Sequence, residues 1–573
     1  MKKLFVYLKG YGRECVLGPL FKLLEASFEL IIPLLVASII DRGILRSDTG
    51  HIVRMVLLMA LLGLIGLACA VTAQYFAAKT AIGFSSRLRH ALMAHIQTLS
   101  YTELDTIGSS TLITRMTSDV NQVQSGTNMG LRLLLRSPFV VFGAMVMAFT
   151  IDTQAALVFA GVIPVLCVVV FGIMLITMPM YKRVQSSLDR VTSATRQNLA
   201  GARVLRAFTM EKAETESFAE VTQELTRKQL SAGRISALLN PLTFVIVNLA
   251  VIVLIRVGAL KVYEGVLTQG LVVALYNYMT QILVELIKMA NLIITITKAV
   301  ACGNRVQSVL EIPPEENAQG DGNIRGEVEF KNVPAKYEEA GEASLENISF
   351  RALPGETVGV IGGTGSGKTT LINLIPGFYS PAGGSVLLDG RDVQTYNRGR
   401  LRRSIGVVPQ KAVLFQGTIR ENLSWGKKDA TEEELWQALE IAQAADVVRD
   451  KAGGLDARVE QGGTNFSGGQ RQRLTIARAL VRKPAVLILD DSASALDYAT
   501  DANLRMAIRK MENPPTTFIV SQRAASVRYA DRILVLDDGI LAGIGTHDEL
   551  LKTCPVYQEI YYSQFSREVT RNG

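Results

Sequence analysis

A glycine-rich loop between an apolar run and a predicted helix carries the clearest chemistry in the sequence. Residues 358–361 read as a buried strand, and residues 362–369 fit the pattern G-x-x-x-x-G-K-[ST]. Glycines let successive backbone N–H groups converge on one point, and the helix that follows adds its positive dipole end. Lys368 supplies a charge for the β- and γ-phosphates, and Thr369 supplies a hydroxyl for Mg²⁺. A Gly/Ser-rich turn could match this pattern by chance, but the flanking strand and helix favour a nucleoside triphosphate site.

Polar side chains end three further apolar runs. Residues 485–489 are followed by Asp490 and Asp491, where a predicted parallel strand ends and ligands collect in open α/β sheets. Asp490 is the natural Mg²⁺ partner of the loop, and Asp491 stands where a general base for an attacking water belongs. Gln410 ends a short strand with an amide that could reach Mg²⁺ or its water, a weak signal by itself. Gln522 ends another strand at the same predicted edge.

A second helix start in the same half of the chain also exposes backbone N–H groups. Ser467 stands at a predicted N-cap, Gly468 and Gly469 follow, and a helix continues to Leu480. A capped structural helix would explain S-G-G alone. A second phosphate site is surplus in a domain that already has one, unless it serves a nucleotide held by another chain.

One aromatic residue upstream is a candidate for the nucleotide base. Tyr337 follows residues 327–330, which alternate like an edge strand. An aromatic ring here could stack on adenine, although a lone tyrosine is more often a packing residue.

Composition divides the 573-residue chain into two unlike parts. Residues 1–300 contain long uncharged runs, whereas residues 320–573 resemble an ordinary soluble α/β domain. The net charge of +8 favours basic cytoplasmic loops of a membrane protein over nucleic-acid binding, because no Lys/Arg run is interleaved with aromatics. The five scattered cysteines lack metal-ligand spacing and are interpreted as free thiols.

Six apolar segments are predicted to cross the bilayer, which requires about 20 residues each. They are residues 16–40, 55–78, 131–151, 153–181, 235–255 and 265–284. Lys22, Glu25 and Glu29 interrupt the first span and share one helical face, so they could point into a bundle; the carboxylates could favour a cationic substrate or pair with Lys22.

The positions of Lys and Arg between the spans predict that both termini are cytoplasmic. Residues 85–132 and 182–234 form two long inside connections with helical periodicity. They are either solvated hairpins or levers that touch the nucleotide domain near residues 109–115 and 208–216. The resulting layout is an interfacial helix at 1–14, a transmembrane domain at 15–310, a linker at 311–325 containing Pro313 and Pro314, and an ATP-binding domain at 326–573.

With these motifs in fixed order along the chain, the sequence resembles a half-transporter of the ABC exporter family over essentially its full length. The resemblance implies an α-helical six-span transmembrane domain followed by a cytosolic α/β P-loop ABC nucleotide-binding domain. It assigns ATP binding to Tyr337, Gly362, Gly363, Thr364, Gly365, Ser366, Gly367, Lys368, Thr369, Thr370, Gln410 and Asp490. It assigns Mg²⁺ to Thr369, Gln410 and Asp490. It assigns contact with the ATP of a partner chain to Phe466, Ser467, Gly468, Gly469, Gln470 and Asp497.

Two departures from the family pattern fall on one ATP site. Asp491 replaces the family's catalytic glutamate, and Gln522 replaces its switch histidine. The shorter carboxylate is expected to fall about 1 Å or more short of the water, and misplacement on that scale can cost about 10²-fold in rate. Gln522 can hydrogen-bond a γ-phosphate but cannot become cationic. The chain therefore resembles the degenerate-site subunit of heterodimeric bacterial multidrug exporters, paired with a different half-transporter that carries the competent site.

The resulting expectation is ATP-driven export of hydrophobic or amphipathic compounds across the cytoplasmic membrane, with drugs, lipids and peptides left open as cargo. The alternatives are an ATP-gated, non-hydrolysing regulator or scaffold subunit and a slow homodimeric exporter. The predicted spans exclude a soluble ABC protein of DNA repair or translation.

Overall fold

The computed structural model describes residues 2–320, 322–336 and 343–565. The chain divides into two compact units. The first comprises Met1–Gln97 and Gly108–Pro313, and the second comprises Thr98–Ile107 and Pro314–Gly573.

The first unit is helical. A 3₁₀ turn at Lys2–Leu8 precedes the long helices. The α-helices described in the first 313 residues are α1 Gly12–Ser38, α2 Thr49–Ile96, α3 Tyr101–Ile107, α4 Ser109–Thr114, α5 Val120–Leu133, α6 Arg136–Ile151, α7 Thr153–Ala200, α8 Ala202–Ala207, α9 Glu211–Ala237, α10 Leu239–Tyr263 and α11 Gln269–Leu310. Of these, α3 belongs to the second unit.

Within the described residues, six helical stretches are long and apolar enough to cross a membrane; five contain a predicted span whole, and the sixth, which begins at Gln269, lacks the first four residues of the span predicted at 265–284. They are Gly12–Ile44, Thr49–Ile96, Ser109–Ile151, Thr153–Ala200, Glu211–Tyr263 and Gln269–Leu310. Helices α2 and α7 each have 48 residues, about 72 Å at 1.5 Å per residue. Because the hydrocarbon core is only about 30 Å thick, these helices must extend beyond it.

Side-chain caps fix where three of the long helices begin. Asp48 accepts a hydrogen bond from the backbone N–H of His51 at the start of α2, and Asp152 accepts from that of Ala155 at the start of α7. Thr268 accepts from the backbone N–H of Leu271 at the start of α11. Each cap satisfies a backbone donor that the helix itself cannot pair, which stabilises the start of the helix at that residue.

The second unit contains two principal sheets. The strands are β1 Val328–Ala335, β2 Leu345–Ala352, β3 Thr357–Gly362, β4 Ser385–Leu388, β5 Arg391–Asp392, β6 Ile405–Val408, β7 Gly417–Thr418, β8 Arg458–Val459, β9 Val486–Asp490, β10 Thr516–Val520, β11 Arg532–Asp537 and β12 Ile540–Gly545. One sheet has the order β12-β11-β3-β10-β9-β6 and is parallel except for β12. The other has the order β2-β1-β4-β5 and is antiparallel.

Within its described part, this unit also contains ten α-helices besides α3. They are α12 Lys368–Leu374, α13 Arg398–Ser404, α14 Ile419–Ser424, α15 Glu432–Ile441, α16 Ala445–Arg449, α17 Gly468–Leu480, α18 Tyr498–Arg509, α19 Ala524–Val527, α20 His547–Thr553 and α21 Pro555–Gln564. The parallel strands β3, β9 and β10 are buried along their whole length. Because β3, β10 and β9 are adjacent and parallel, their carboxyl ends lie side by side. Several of the predicted site residues lie at or directly after these strand ends.

The prediction of an edge strand at residues 327–330 is wrong. Strand β1 pairs with β2 on one side and with β4 on the other. Its alternation arises because one face of an antiparallel sheet is buried and the other is not, and such alternation does not distinguish an edge strand from an inner one.

A short segment from the first intracellular connection packs within the second unit. The ring of Tyr101 on α3 stacks on Phe378 with centroids 4.3 Å apart, and the guanidinium of Arg402 lies 5.7 Å from the Tyr101 centroid. Tyr379 donates a hydrogen bond to Asp105 at 2.5 Å. These residues directly precede the predicted lever contact at 109–115. That contact and the one at 208–216 stay predictions.

Candidate nucleotide-binding site

The loop between β3 and α12 has the conformation that its glycines predict. Gly365 and Gly367 have φ of +86° and +91°, and a Cβ on Gly367 would lie 2.5 Å from the carbonyl oxygen of Ser344. Any larger residue at Gly367 would therefore be strained and would clash with backbone. The result is a tight turn whose last residue is the N-cap of α12.

Lys368 folds back over this loop. Its ammonium donates hydrogen bonds to the carbonyl oxygens of Gly362 at 3.0 Å and Gly363 at 2.5 Å, and to the hydroxyl of Ser366 at 3.3 Å. Only 9% of the residue is exposed. Burial lowers the pKa of Lys368, and the negative charges of Asp491 and Asp490 oppose that shift. A phosphate oxygen carries negative charge and would accept a stronger hydrogen bond from Lys368 than these neutral carbonyl oxygens do. The Lys368 ammonium is therefore suited to bind a phosphate.

A hydroxyl and a carboxylate face each other beside the loop. The hydroxyl oxygen of Thr369 lies 3.5 Å from each carboxylate oxygen of Asp490. Adjacent ligands of an octahedral Mg²⁺, each 2.0–2.1 Å from the ion, are about 3 Å apart. The Thr369 and Asp490 oxygens would therefore fit Mg²⁺ if they moved closer together by about 0.5 Å. Bound Mg²⁺ would neutralise part of the negative charge of the phosphates. Burial, and secondly the charge of Asp491, raise the pKa of Asp490.

Asp491 is held by the sheet and by one side chain. Its backbone has a φ of +45°, in the region where Asp is tolerated better than most side chains. Its N–H donates to the carbonyl oxygen of Val520 at 3.0 Å. Its carboxylate accepts a hydrogen bond from the side-chain amide of Gln410 at 3.3 Å. Gln410, which the sequence placed near Mg²⁺, thus also contacts the residue in the general-base position.

A cavity of about 290 Å³ collects most of the residues predicted for this chain's own ATP site. Its lining contains Thr364, Gly365, Gly367, Lys368, Thr369, Thr370, Gln410, Asp490, Asp491 and Gln522 from the predicted set. Gly362, Gly363 and Ser366 do not line the cavity. Their oxygens instead accept hydrogen bonds from the Lys368 ammonium. Tyr337 lies outside the described residues.

Sequence reasoning missed two polar lining residues. Ser344 precedes β2, and Ser521 stands between β10 and Gln522. Ser344 belongs to no sequence motif. It lines the cavity only because the fold places the start of β2 there, which the sequence does not indicate. Ser521 could have been found, since it directly follows a strand that ends at the site edge.

The residues expected to contact a partner's ATP form a separate helix start. Ser467 and Gln470 form a reciprocal capping box: the Gln470 N–H donates to the Ser467 hydroxyl at 3.3 Å, and the Ser467 N–H donates to the Gln470 side chain at 2.9 Å. Asp497 caps α18 by accepting from the N–H of Thr500 at 2.9 Å and from its hydroxyl at 2.8 Å. Among the residues given a position, neither group lines the cavity that holds Lys368.

These features define a P-loop nucleotide-binding domain in the same chain as six helices suited to span a membrane. Comparison with protein families agrees: the ABC transporter transmembrane region matches residues 15–286, and the ABC transporter family matches residues 345–494. The chain belongs to the ABC transporter family and has the organisation of an exporter half-transporter. It is a multi-pass membrane protein whose C-terminal ABC domain is cytosolic and binds ATP, normally with Mg²⁺, as part of a transporter with ATPase activity.

Full-length relatives support this assignment. The uncharacterized ABC transporter ATP-binding protein YfiB of Bacillus subtilis is 37% identical over 99% of both chains. The putative multidrug export ATP-binding/permease protein YgaD of the same organism is 31% identical, over 98% of this chain and 99% of its own. The solved structure of a bacterial Atm1-family ABC exporter with ATP bound has a TM-score of 0.81 at 23% identity, and the match covers 97% of this chain and 98% of that one. That likeness concerns the fold.

Proposed function

We propose that this chain is one half of a heterodimeric ABC exporter that moves hydrophobic or amphipathic compounds outward across the cytoplasmic membrane. In this assignment the chain's own ATP site is degenerate, and hydrolysis takes place mainly at the site of a different partner. The name of YgaD supports multidrug-like cargo by analogy.

The observation that carries the proposal is that both substituted residues line the same cavity. Asp491 and Gln522 border the space that also contains Lys368, Thr369 and Asp490. The binding elements are therefore intact, whereas the two groups that would act on an attacking water are altered. Binding without efficient turnover is the expected consequence, because positioning of the base and proton transfer contribute separately from phosphate binding.

The rest of the proposed site assignment follows from the motifs. Thr369, Asp490 and Gln410 would hold Mg²⁺, and the loop from Gly362 to Thr370, with Tyr337, would hold ATP. Phe466–Gln470 and Asp497 would complete the partner's site. The position of the capping box at Ser467 outside this chain's own cavity supports that role.

The test compares ATP turnover with and without a partner. We expect the purified chain to bind Mg²⁺-ATP but to hydrolyse it slowly, and to gain turnover when a half-transporter with Glu and His at the corresponding positions is added. Asp491→Glu combined with Gln522→His should raise turnover by the purified chain. Adding Lys368→Ala to that variant is the matched control and should return turnover to background. Brisk hydrolysis by the wild-type chain alone, with no gain from a partner, would refute the degenerate-site proposal.

The same geometry favours a second candidate, an ATP-gated regulator that does not support hydrolysis in any assembly. The intact signature helix at Ser467 argues for the exporter, because that helix would serve a hydrolysing partner site. Vanadate trapping separates the two: trapped nucleotide in the assembled complex indicates the exporter, and failure to trap it indicates the regulator. A slow homodimeric exporter would trap vanadate without any partner.

A further inference from the structure

Helix α21, near the C-terminus, meets the loop that presents Gln522 to the nucleotide cavity. Gln522 lies between strand β10 and the short helix α19, and it lines the cavity that also contains Lys368. Gln564 is the last residue of α21. Its side-chain amide donates a hydrogen bond to the carbonyl oxygen of Gln522 at 2.7 Å, and its side-chain oxygen accepts one from the backbone N–H of Ala524 at 2.8 Å. One side chain therefore joins α21 to two backbone groups of the loop.

The loop needs this contact because its own residues do not cap α19. Arg523, at the N-cap of α19, makes no side-chain hydrogen bond to the helix. The backbone N–H of Arg523 donates instead to the hydroxyl of Ser521 at 3.0 Å, and Ser521 donates its own N–H to a carbonyl oxygen of β3 at 3.1 Å. The strand side of the loop is thus fixed by the sheet. Among the described residues, the Gln522 carbonyl and the Ala524 N–H have no hydrogen-bond partner other than Gln564.

Two buried tyrosines hold α21, and with it Gln564, in place. Tyr557 and Tyr561 precede Gln564 by seven and three residues, so the three side chains lie on one face of the helix. Tyr557 is fully buried and Tyr561 is 5% exposed, and both belong to the apolar core that also contains Ala524. The Tyr557 hydroxyl lies 2.8 Å from Nδ1 of His547. The amide of Gln564 is therefore carried by a helix that is packed into the core.

We propose that Gln564 is a positioning residue for the ATP site: it holds the backbone of residues 522–524 so that the Gln522 side chain reaches the γ-phosphate. Gln564 does not line the cavity itself and acts only through Gln522. The inference rests on the proposed role of Gln522 in the ATP site. Because ADP lacks the γ-phosphate, loss of the Gln564 contact should weaken binding of a nucleoside triphosphate and spare binding of ADP.

A purely structural role for Gln564 leads to a different result. Loosening of α21 would lower the stability of the unit and would weaken ATP and ADP binding alike, because the loop from Gly362 to Thr370 serves both nucleotides. The ratio of the two dissociation constants therefore separates positioning from stability. This ratio also does not depend on hydrolysis, which the degenerate-site proposal expects to be slow.

The test measures nucleotide binding by the full-length chain in lipid nanodiscs, with Mg²⁺ and without a partner. Displacement of the fluorescent analogue TNP-ATP gives the dissociation constants of ADP and of AMP-PNP, which keeps a γ-phosphate but resists hydrolysis. We expect Gln564→Leu to lower the ratio of the ADP constant to the AMP-PNP constant by about fivefold, a change on the scale of one hydrogen bond. The ADP constant itself should stay unchanged.

Three further variants make the result specific. Gln558→Leu is the matched control, because Gln558 lies on the same helix and donates at 2.8 Å to the carbonyl oxygen of Leu551 on α20 rather than to the loop; its ratio should equal that of wild type. Gln522→Ala should lower the ratio by about tenfold, since a bond to a charged phosphate is lost, and adding Gln564→Leu should lower it no further. Gln564→Glu keeps an acceptor for Ala524 but has no donor for Gln522, so it should also lower the ratio, and it decides the matter if Gln564→Leu does not fold.

An unchanged ratio in the Gln564 variants, an equal drop in Gln558→Leu, or a further drop in the double variant would overturn the positioning role. An unchanged ratio in Gln522→Ala would overturn it too, and would also remove Gln522 from the proposed site. Failure of the proposed function is separately visible: brisk hydrolysis by the wild-type chain without a partner contradicts the degenerate site and leaves the role of Gln564 standing.

Discussion

Replacing Arg136 should destabilise the membrane-spanning unit more than replacing any exposed basic residue. The Arg136 side chain is 7% exposed and bridges Glu29 and Glu285 at 2.6 Å each. In Arg136→Met, Glu285 keeps Lys288 and Ser137, but Glu29 loses its hydrogen-bond donor and the two acids lose a shared positive charge.

The expected magnitude follows from burial. Breaking a fully buried ion pair by removing one partner costs about 3–5 kcal/mol, and the low end of that range applies here because the Glu29 side chain is 39% exposed and Glu285 keeps Lys288. The control is Arg190→Met, whose side chain is 54% exposed and whose partner Glu224 is 43% exposed. An exposed pair of this kind contributes about 0–1 kcal/mol.

Thermal unfolding in detergent, followed by size-exclusion chromatography with fluorescence detection, measures the difference. The unfolding midpoint of Arg136→Met should be lower than wild type by at least about 6 °C, and that of Arg190→Met should be nearly unchanged. Adding Glu29→Gln to Arg136→Met should recover part of the loss, because the acid that lost its donor becomes neutral. Equal midpoints for the two single variants, or no recovery, would refute the assignment of Arg136 as the central charge of this network.

Two further predictions concern the second unit. Asp490→Asn should raise the unfolding midpoint of the nucleotide-free protein at neutral pH while weakening Mg²⁺-dependent ATP binding, because burial raises the pKa of Asp490 and makes its ionised form costly. The gain should shrink as the pH falls through that raised pKa, since the wild-type carboxylate then becomes neutral too; a gain that does not change with pH would contradict this cause. Tyr101→Ala should increase hydrogen–deuterium exchange in residues 98–107, because it removes the stack on Phe378, worth about 0.5–1.5 kcal/mol beyond buried area. Tyr263→Ala, at a residue 93% exposed, is the control, and equal exchange in the two variants would contradict the prediction.

The sequence alone determined the features that depend on neighbouring residues or on the solvent. The phosphate loop was predictable because its donors, Lys368 and Thr369 all lie in one contiguous segment. The six spans were predictable because the bilayer imposes a minimum apolar length on any helix that crosses it. The ion pair between Lys22 and Glu25 was equally within reach, since residues three apart share a helix face.

Only the tertiary structure decided which distant groups meet. The sequence offered Lys22 as a partner for both carboxylates of the first span, but Glu29 pairs with Arg136, 107 residues away. The contact of Gln410 with Asp491 joins residues 81 apart, and α3 packs in the nucleotide-binding unit through Phe378. Such contacts depend on strand order and helix packing, which bring together residues whose separation along the chain carries no periodic signal. Local patterns therefore predicted the binding elements, whereas the fold determined how they are combined.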